Sequence, residues 1–305
     1  MKGYPFSARS RGGRTAVIHE TEHLTHAELD ERATKLAHAV RAASAGSAGS
    51  AATRSLAVVL PNSMELIETF AASAKLAVAP ITLDPTMSAT ELGQALREAH
   101  ADVVIASQDH AETVSLLRDE VATTSMVVGD DFEARLVGSP GEPLPYRWPA
   151  TFPTRYVPIA ATRDDRFVRP PGTPADIEAR CEELLRRWQI VADDVHLVAG
   201  PLHEADPFDH YAATLYAGGT VVLMDGWDAF EFLRLVEAHR VSTTFLSHAH
   251  FDDVLRLSPR ERRRYDTTSL RGLHHDGPVC PDEVATRLRG IFGAAELSAA
   301  TSVRH

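Results

Sequence analysis

The stretch Asp193-Asp194-Val195-His196-Leu197-Val198-Ala199-Gly200-Pro201-Leu202-His203 decides how this chain is read. Val195–Ala199 reads as a strand. The pattern over Pro207–Ala217 reads as a helix, and Thr220–Met224 as a second strand. Strands separated by a helix of this length pair in parallel through a helical crossover.

The alternation continues in both directions. Downstream, Asp228 with Glu231 caps a further helix, Ser242–Leu246 and Leu270–Leu273 read as strands, and a helix starts at Pro281. Upstream, Ala175–Trp188 is a charged amphipathic helix. In the first half, Thr25 and Glu28 form a capping box, and Leu29, Ala33, Leu36, Ala37 and Val40 give the helix behind them one apolar face. Leu56–Leu60, Val78–Thr82 and Val103–Ala106 read as strands. Asn62 with Glu65, and Ser88 with Glu91, open the helices between them. Leu66, Ile67, Phe70 and Ala74 line the inner side of the first of these.

Two stretches break the pattern. Ala42–Thr53 is an Ala/Ser/Gly tract with little to pack and reads as a flexible connector. Asp130–Arg169 turns irregular, with prolines at 140, 143, 145, 149, 153 and 158, and marks a lobe boundary. The expected division is a first α/β lobe over residues 1–150, a connector over 151–173 and a second α/β lobe over 174–305. No internal repeat is visible.

Composition narrows the function. A net charge of -11 argues against nucleic acid, which demands concentrated basic surface. No apolar run is long enough to span a bilayer, and the basic start Met1–Arg14 has no apolar core behind it. Cys181 and Cys280 make neither a disulfide framework nor a metal-ligand spacing, so a cytoplasmic setting is expected. Only three lysines are present, Lys2, Lys35 and Lys75.

Several segments in collinear order resemble the AMP-forming acyl-CoA synthetases of the adenylate-forming superfamily. Leu24-Thr25-His26-Ala27-Glu28-Leu29-Asp30 is similar to the family's "LTYAELD". Leu60-Pro61-Asn62-Ser63 is similar to "LPNS", and Lys75–Pro80 to "KLGAVP". Gly200–Phe208 resembles "GPLYHxxPF". Tyr265–Arg271 with His275–Pro281 resembles "YDLSSLRxVxHGAAPCP", typical of the branch that acts on fatty, bile or aromatic acids. The resemblance spans nearly the whole chain apart from roughly residues 108–175. It implies two Rossmann-like doubly wound lobes, the greater part of the family's N-terminal domain, with the β-barrel subdomain and C-terminal domain absent. It also implies ATP or AMP and CoA as cofactors and an acyl or aromatic carboxylic acid as ligand. His203, Glu204 and Phe208 would then wall the acyl pocket, and His275, Asp276, Gly277 and Pro278 would approach the nucleotide.

The catalytic parts of that family are missing. Its phosphate loop needs glycines, whose bare backbone lets amide groups close around the phosphates. The corresponding stretch, Ala160-Ala161-Thr162-Arg163-Asp164-Asp165-Arg166-Phe167, has no glycine and two adjacent aspartates. The Thr-Glu pair that serves magnesium is not preserved in Ala295–Thr301, and no lysine follows Lys75. Glu204 stands where the family has a histidine. A carboxylate in an acyl pocket would disfavour an incoming carboxylate, although on a partly solvated loop it has no chemistry to do.

Other constellations have plainer alternatives. Ser247-His248-Ala249-His250-Phe251-Asp252-Asp253 superficially resembles a binuclear metal motif, but it reads equally as a helix start with acids at the positive end of the dipole. His274-His275 reads as a pair of packing residues, Cys280 as an inert buried thiol and Arg260–Arg264 as a solvated helix face. The leading expectation is a truncated, ligase-like pseudoenzyme that binds an acyl group or nucleotide, or serves as a partner subunit, and that dimerises or binds another protein. The alternatives are one half of a split acyl-CoA ligase completed in trans, and a repurposed hydrolase or transferase using His203-Glu204 or a His248/His250 metal site.

Overall fold

The computed structural model describes residues 11–48, 55–121, 124–144, 154–156, 167–168, 174–275, 280–293 and 295–299. It is mixed α/β, built on two largely parallel sheets. Two compact units divide the chain, Ala27–Arg180 and Met1–His26 with Cys181–His305.

The Ala27–Arg180 unit carries strands β3 (Leu56–Val59), β4 (Pro80–Thr82), β5 (Val103–Ala106), β6 (Thr124–Val127), β7 (Thr154–Tyr156) and β8 (Phe167–Val168) in the order β6-β5-β3-β4-β7-β8. All pairings are parallel except that of β7 with β8. Helix α1 (His26–Ala48) enters this unit with Leu29, Ala33, Leu36, Ala37 and Val40 all buried, the face that the apolar spacing predicts. It runs through the first part of the Ala/Ser/Gly tract, which is helical to Ala48 rather than a connector. Alanine is the best helix former, and a helix already fixed by its apolar face propagates at little cost.

Helix α2 (Met64–Leu76) is capped by Ser63, one residue later than expected: its side chain accepts from the Leu66 N–H at 3.2 Å. Helix α3 (Ala89–Ala99) opens with the reciprocal Ser88–Glu91 box. Helix α4 (Ala111–Val121) follows β5, and helix α5 (Asp130–Val137) lies inside the stretch read as irregular. The prolines that gave that impression begin only at residue 140, while Phe132 and Leu136, one turn apart, are buried and anchor a short helix.

The second unit holds β1 (Thr15–His19), β2 (Glu22–Thr25), β9 (Val195–Val198), β10 (Thr220–Leu223), β11 (Thr243–Leu246), β12 (Gly272–His275) and β13 (Glu296–Ala299). Their order is β13-β12-β11-β9-β10-β1-β2, parallel except for the edge hairpin β1–β2. This unit includes the first described strands, β1 and β2. β1 lies against β10 with Val17 opposite Val221, and the Thr220 hydroxyl donates to the Thr15 carbonyl at 2.7 Å. A near-continuous apolar strand such as Ala16–Ile18 is best satisfied between two neighbours, and β10 has a free edge to offer. The two sheets share one winding, since β6-β5-β3-β4-β7-β8 matches β12-β11-β9-β10-β1-β2 strand for strand, antiparallel edge included. No sequence repeat accompanies this.

Helices α6 (Pro174–Arg187) and α7 (Ala205–Ala217) precede and follow β9. Helices α8 (Ala229–His239), α9 (His248–Arg256), α10 (Pro259–Arg262) and α11 (Asp282–Phe292) complete the unit. One face of the sheet, with Leu197, Val222, Leu246 and Leu273, packs on Phe232, Leu233, Val236, Phe251, Val254 and Leu288. The other face meets α7 and the end of α6 through Leu184, Trp188, Ile190, Ala213 and Phe245. Among the described residues no helix is long and apolar enough to cross a membrane.

Candidate functional site

In an open parallel sheet a crevice forms outside the carboxyl ends of two neighbouring strands whose connections leave in opposite directions. In the second unit those strands are β9 and β11: β9 connects to β10 on one side, and β11 to β12 on the other. The segments leaving their ends are Ala199–Glu204 and Ser247–His250, which hold the histidines singled out in the sequence.

Behind β9 the chain turns sharply, with the Glu204 N–H donating to the Pro201 carbonyl at 3.1 Å. Gly200 keeps this turn close to α7, since a Cβ would crowd Cγ of Pro207 at 3.0 Å. Glu204 occupies the cap position of α7, is exposed, and makes no side-chain capping bond. His203 beside it is half-buried. Phe208, in the first turn of α7, is buried edge-on against Tyr211 with centroids 5.5 Å apart. His203 and Glu204 thus precede α7, and Phe208 lies one turn inside it.

Behind β11, Ser247 opens α9 through a reciprocal box in which a histidine replaces the usual glutamate. The His250 N–H donates to Ser247 Oγ at 3.4 Å, and the Ser247 N–H donates to His250 Nδ1 at 3.2 Å. The His250 ring also stacks on Trp227 at 4.0 Å, and Trp227 Nε1 donates to Asp253 at 2.9 Å. His248 turns instead toward β12. Its ring lies 5.1 Å from His275 and 5.9 Å from Phe251, and His275 lies 5.6 Å from Phe251. The two histidines of the metal-like motif therefore diverge, one serving the helix cap and the other a buried aromatic trio. Among the described residues no group of three or more His, Cys, Asp or Glu side chains is placed to hold a metal ion.

His275 is buried as the last residue of β12. Asp276, Gly277 and Pro278 lie outside the described residues, as does the degenerate loop at 157–166. The paired strands β7 and β8 frame that loop, with Tyr156 opposite Phe167. Cys280 is buried, and burial pushes its thiol up, away from the reactive thiolate. Two of the three lysines are described, and each holds a carboxylate: Lys35 with Glu31 and Lys75 with Asp30, both at 2.6 Å.

Sequence reasoning missed two polar constellations. Asp194, just before β9, accepts from Arg271 Nε at 3.0 Å, from Ser242 Oγ at 2.6 Å and from the Val191 N–H at 2.7 Å. The signal was available, because Asp194 and Arg271 sit in the two most recognisable stretches. The other is a buried layer of His196, His210 and His274, whose residues share no sequence motif.

A family model described as AMP-binding enzyme matches residues 6–164 and 175–300. A feruloyl-CoA synthase of Amycolatopsis sp is 29% identical over 284 residues, covering 92% of this chain and 54% of that protein. An indoleacetate–CoA ligase of Aromatoleum aromaticum is 25% identical, covering 93% and 57%. The chain spans about half the length of the curated relatives it matches. Among solved structures, the N-terminal domain of FACL13 from Mycobacterium tuberculosis superposes with a TM-score of 0.82 at 18% identity, over 98% of this chain and 76% of that one. A long-chain-fatty-acid CoA ligase, described as putative, from Rhodopseudomonas palustris gives 0.77 at 20% identity, over 96% and 72%.

Proposed function

Because the chain belongs to the AMP-binding enzyme family, we propose that it retains a site for an aromatic carboxylic acid but does not adenylate that acid by itself. The acid-binding half of this reading rests on the Gly200–Phe208 segment at the switch point, with Phe208 as its apolar wall. Two relatives carry names that pair an aromatic acyl group with CoA. Glu204 is exposed, so water rather than a dry pocket surrounds its charge.

The observation that carries the second half is the stretch framed by β7 and β8. Ten residues connect Tyr156 to Phe167, none is glycine, and Asp164 and Asp165 add negative charge to the stretch that the family resemblance aligns with the phosphate loop. A cradle of backbone amides needs glycine to approach the phosphates, and aspartates repel them. Lys35 and Lys75 are already engaged by carboxylates, so neither is available as a substitute cation. The residues present do not fit ATP, and no chemical step is assigned to it.

On this reading the chain acts as an acyl-binding or partner subunit, alone or beside a second copy. The sheet supports a partner: among the described residues β13 stands at its edge, paired to β12 alone. Calorimetric titration with Mg·ATP, AMP and ferulate tests the function. Ferulate binding with no heat from Mg·ATP is expected, together with no pyrophosphate release when both are present. Micromolar Mg·ATP binding or pyrophosphate release would overturn the reading.

A further inference from the structure

Helix α7 is held to its sheet by an unusual layer. His196 on β9, His210 on α7 and His274 on β12 all point into the space between sheet and helix, and all are buried. His210 stacks on His196 at 5.7 Å and on His274 at 5.0 Å, and Trp188 closes the layer at 4.5 Å from His210 and 4.4 Å from His274. Phe245 on β11 lies 5.0 Å from His210. Room for the His274 ring comes from Gly272 on the same strand, where a Cβ would meet His274 Nε2 at 3.1 Å.

Each ring spends one nitrogen on a neutral partner. His196 Nδ1 meets Thr243 Oγ1 at 3.0 Å, His274 Nδ1 meets Ser298 Oγ at 3.2 Å, and His210 Nδ1 donates to the Asp206 carbonyl at 2.9 Å. His196 Nε2, His274 Nε2 and Trp188 Nε1 are buried with no hydrogen-bond partner among the described residues. A proton arriving at either imidazole would create an interior cation with no acceptor.

The charges around the layer make this worse. Arg187 stands over Trp188 at 4.9 Å, and Arg271 and His275 flank His274 in sequence. The described carboxylates on the packed elements are Glu182 and Glu183 on α6, Asp206 and Asp209 on α7, Glu296 on β13, and Asp194 before β9, which is engaged by Arg271. The groups that act on His274, namely His210, His196, Arg271 and His275, all oppose a positive charge there. Burial holds His196 and His274 well below the usual imidazole range; His210 adds to it for both rings, and His196, Arg271 and His275 add to it for His274.

We propose that the His196–His210–His274 layer is an acid-sensitive lock, in which neutral imidazoles keep α7 docked and acidification releases it together with the Gly200–Phe208 segment at its head. The folded rings resist protons that the unfolded rings accept. The lock is therefore fully closed above about pH 6.5 and weakens as pH falls below that value.

Hydrogen exchange on the intact chain at pH 7.5 and 5.5, corrected for intrinsic rates, tests this. Protection across Ala205–Ala217 should fall roughly tenfold or more at the lower pH, while Leu56–Val59 and Val103–Ala106 keep or gain theirs. Equal protection of α7 at both values would overturn the proposal. So would imidazole resonances of His196 and His274 that titrate near 6.5 in the folded chain. A His196→Val/His210→Leu/His274→Phe variant, if it folds, should lose the pH dependence of α7, and its persistence would count against the lock. The resonances decide the matter if that variant does not fold.

Discussion

Asp194 and Arg271 stand 77 residues apart and are joined by a two-pronged ion pair, Nε to Oδ1 at 3.0 Å and Nη2 to Oδ2. Asp194 is buried, and Ser242 and the Val191 amide complete its shell. One carboxylate therefore ties the entry of β9 to the entries of β11 and β12, and sets the strands whose far ends form the candidate site.

Asp194→Ala should cost about 3 kcal/mol, the low end for breaking a buried pair, because the Arg271 side chain keeps 39% of its exposure and can turn to water. Arg271→Ala should cost at least as much as Asp194→Ala, because it leaves a buried carboxylate with only the hydrogen bonds from Ser242 and Val191. Guanidinium denaturation of both single variants and the double variant measures the coupling. A coupling below about 0.5 kcal/mol would refute the pair's role.

Glu68 supplies a pH-dependent case. It is buried in α2 and grips Arg32, which also reaches Glu133 at 2.6 Å. Burial pushes Glu68 up to about 7, with Arg32 pulling the other way. With a folded value above the unfolded one, its contribution to stability is complete below about pH 4.5 and is lost as pH rises through 7. Arg32→Met should destabilise by about 3 kcal/mol at pH 8, where Glu68 must either hold its charge alone or draw a proton from a dilute supply, and by visibly less at pH 5.5, where it takes a proton readily. Urea titrations at the two pH values check the sign.

Two glycines should respond oppositely to alanine. At Gly219 a Cβ would lie 2.8 Å from the Asp194 carbonyl oxygen and 2.9 Å from Thr214 Cγ2, contacts that cannot yield without moving backbone. Gly219→Ala should cost about 2 kcal/mol or more. Gly290, inside α11, is exposed with nothing near its missing Cβ, so Gly290→Ala should stabilise by roughly 0.5–1 kcal/mol. Melting curves of the two variants should move in opposite directions.

The Asp228 cap is the simplest test. Its carboxylate accepts from the Phe230 and Glu231 amides at 2.9 and 2.8 Å. Asp228→Ala should cost about 1 kcal/mol by thermal unfolding, and Asp228→Ser should recover most of it.

Local signals were the readable ones. The apolar face of α1, the Ser88–Glu91 box and the Asp228 cap follow from residues a turn apart, and the structure reproduces them. What could not be read depends on strand order. Nothing in Thr15–His19 says that its partner is Thr220–Leu223, and nothing in His196, His210 or His274 says that a fold will stack them. Glu68 was hidden for a related reason. Helix α2 is buried nearly all round, so the amphipathic rule that identifies Leu66, Ile67 and Phe70 gives no sign that Glu68 is inside as well. At the site, the histidines were legible as residues but not as directions, because residues two apart at a helix start face different neighbours.

The pairing of β1 with β10 has a bearing on how the chain is made. Thr15 leaves the ribosome 205 positions ahead of Thr220, to which it is hydrogen-bonded. At ordinary synthesis rates that is a delay of roughly 10–40 s. The Ala27–Arg180 unit has its whole sheet available within that interval and can fold first, while the β1–β2 hairpin waits with a bare edge. A nascent chain stalled before residue 220 would hold one finished unit and one orphan hairpin, the form of this protein most open to a chaperone or to misplaced strand pairing.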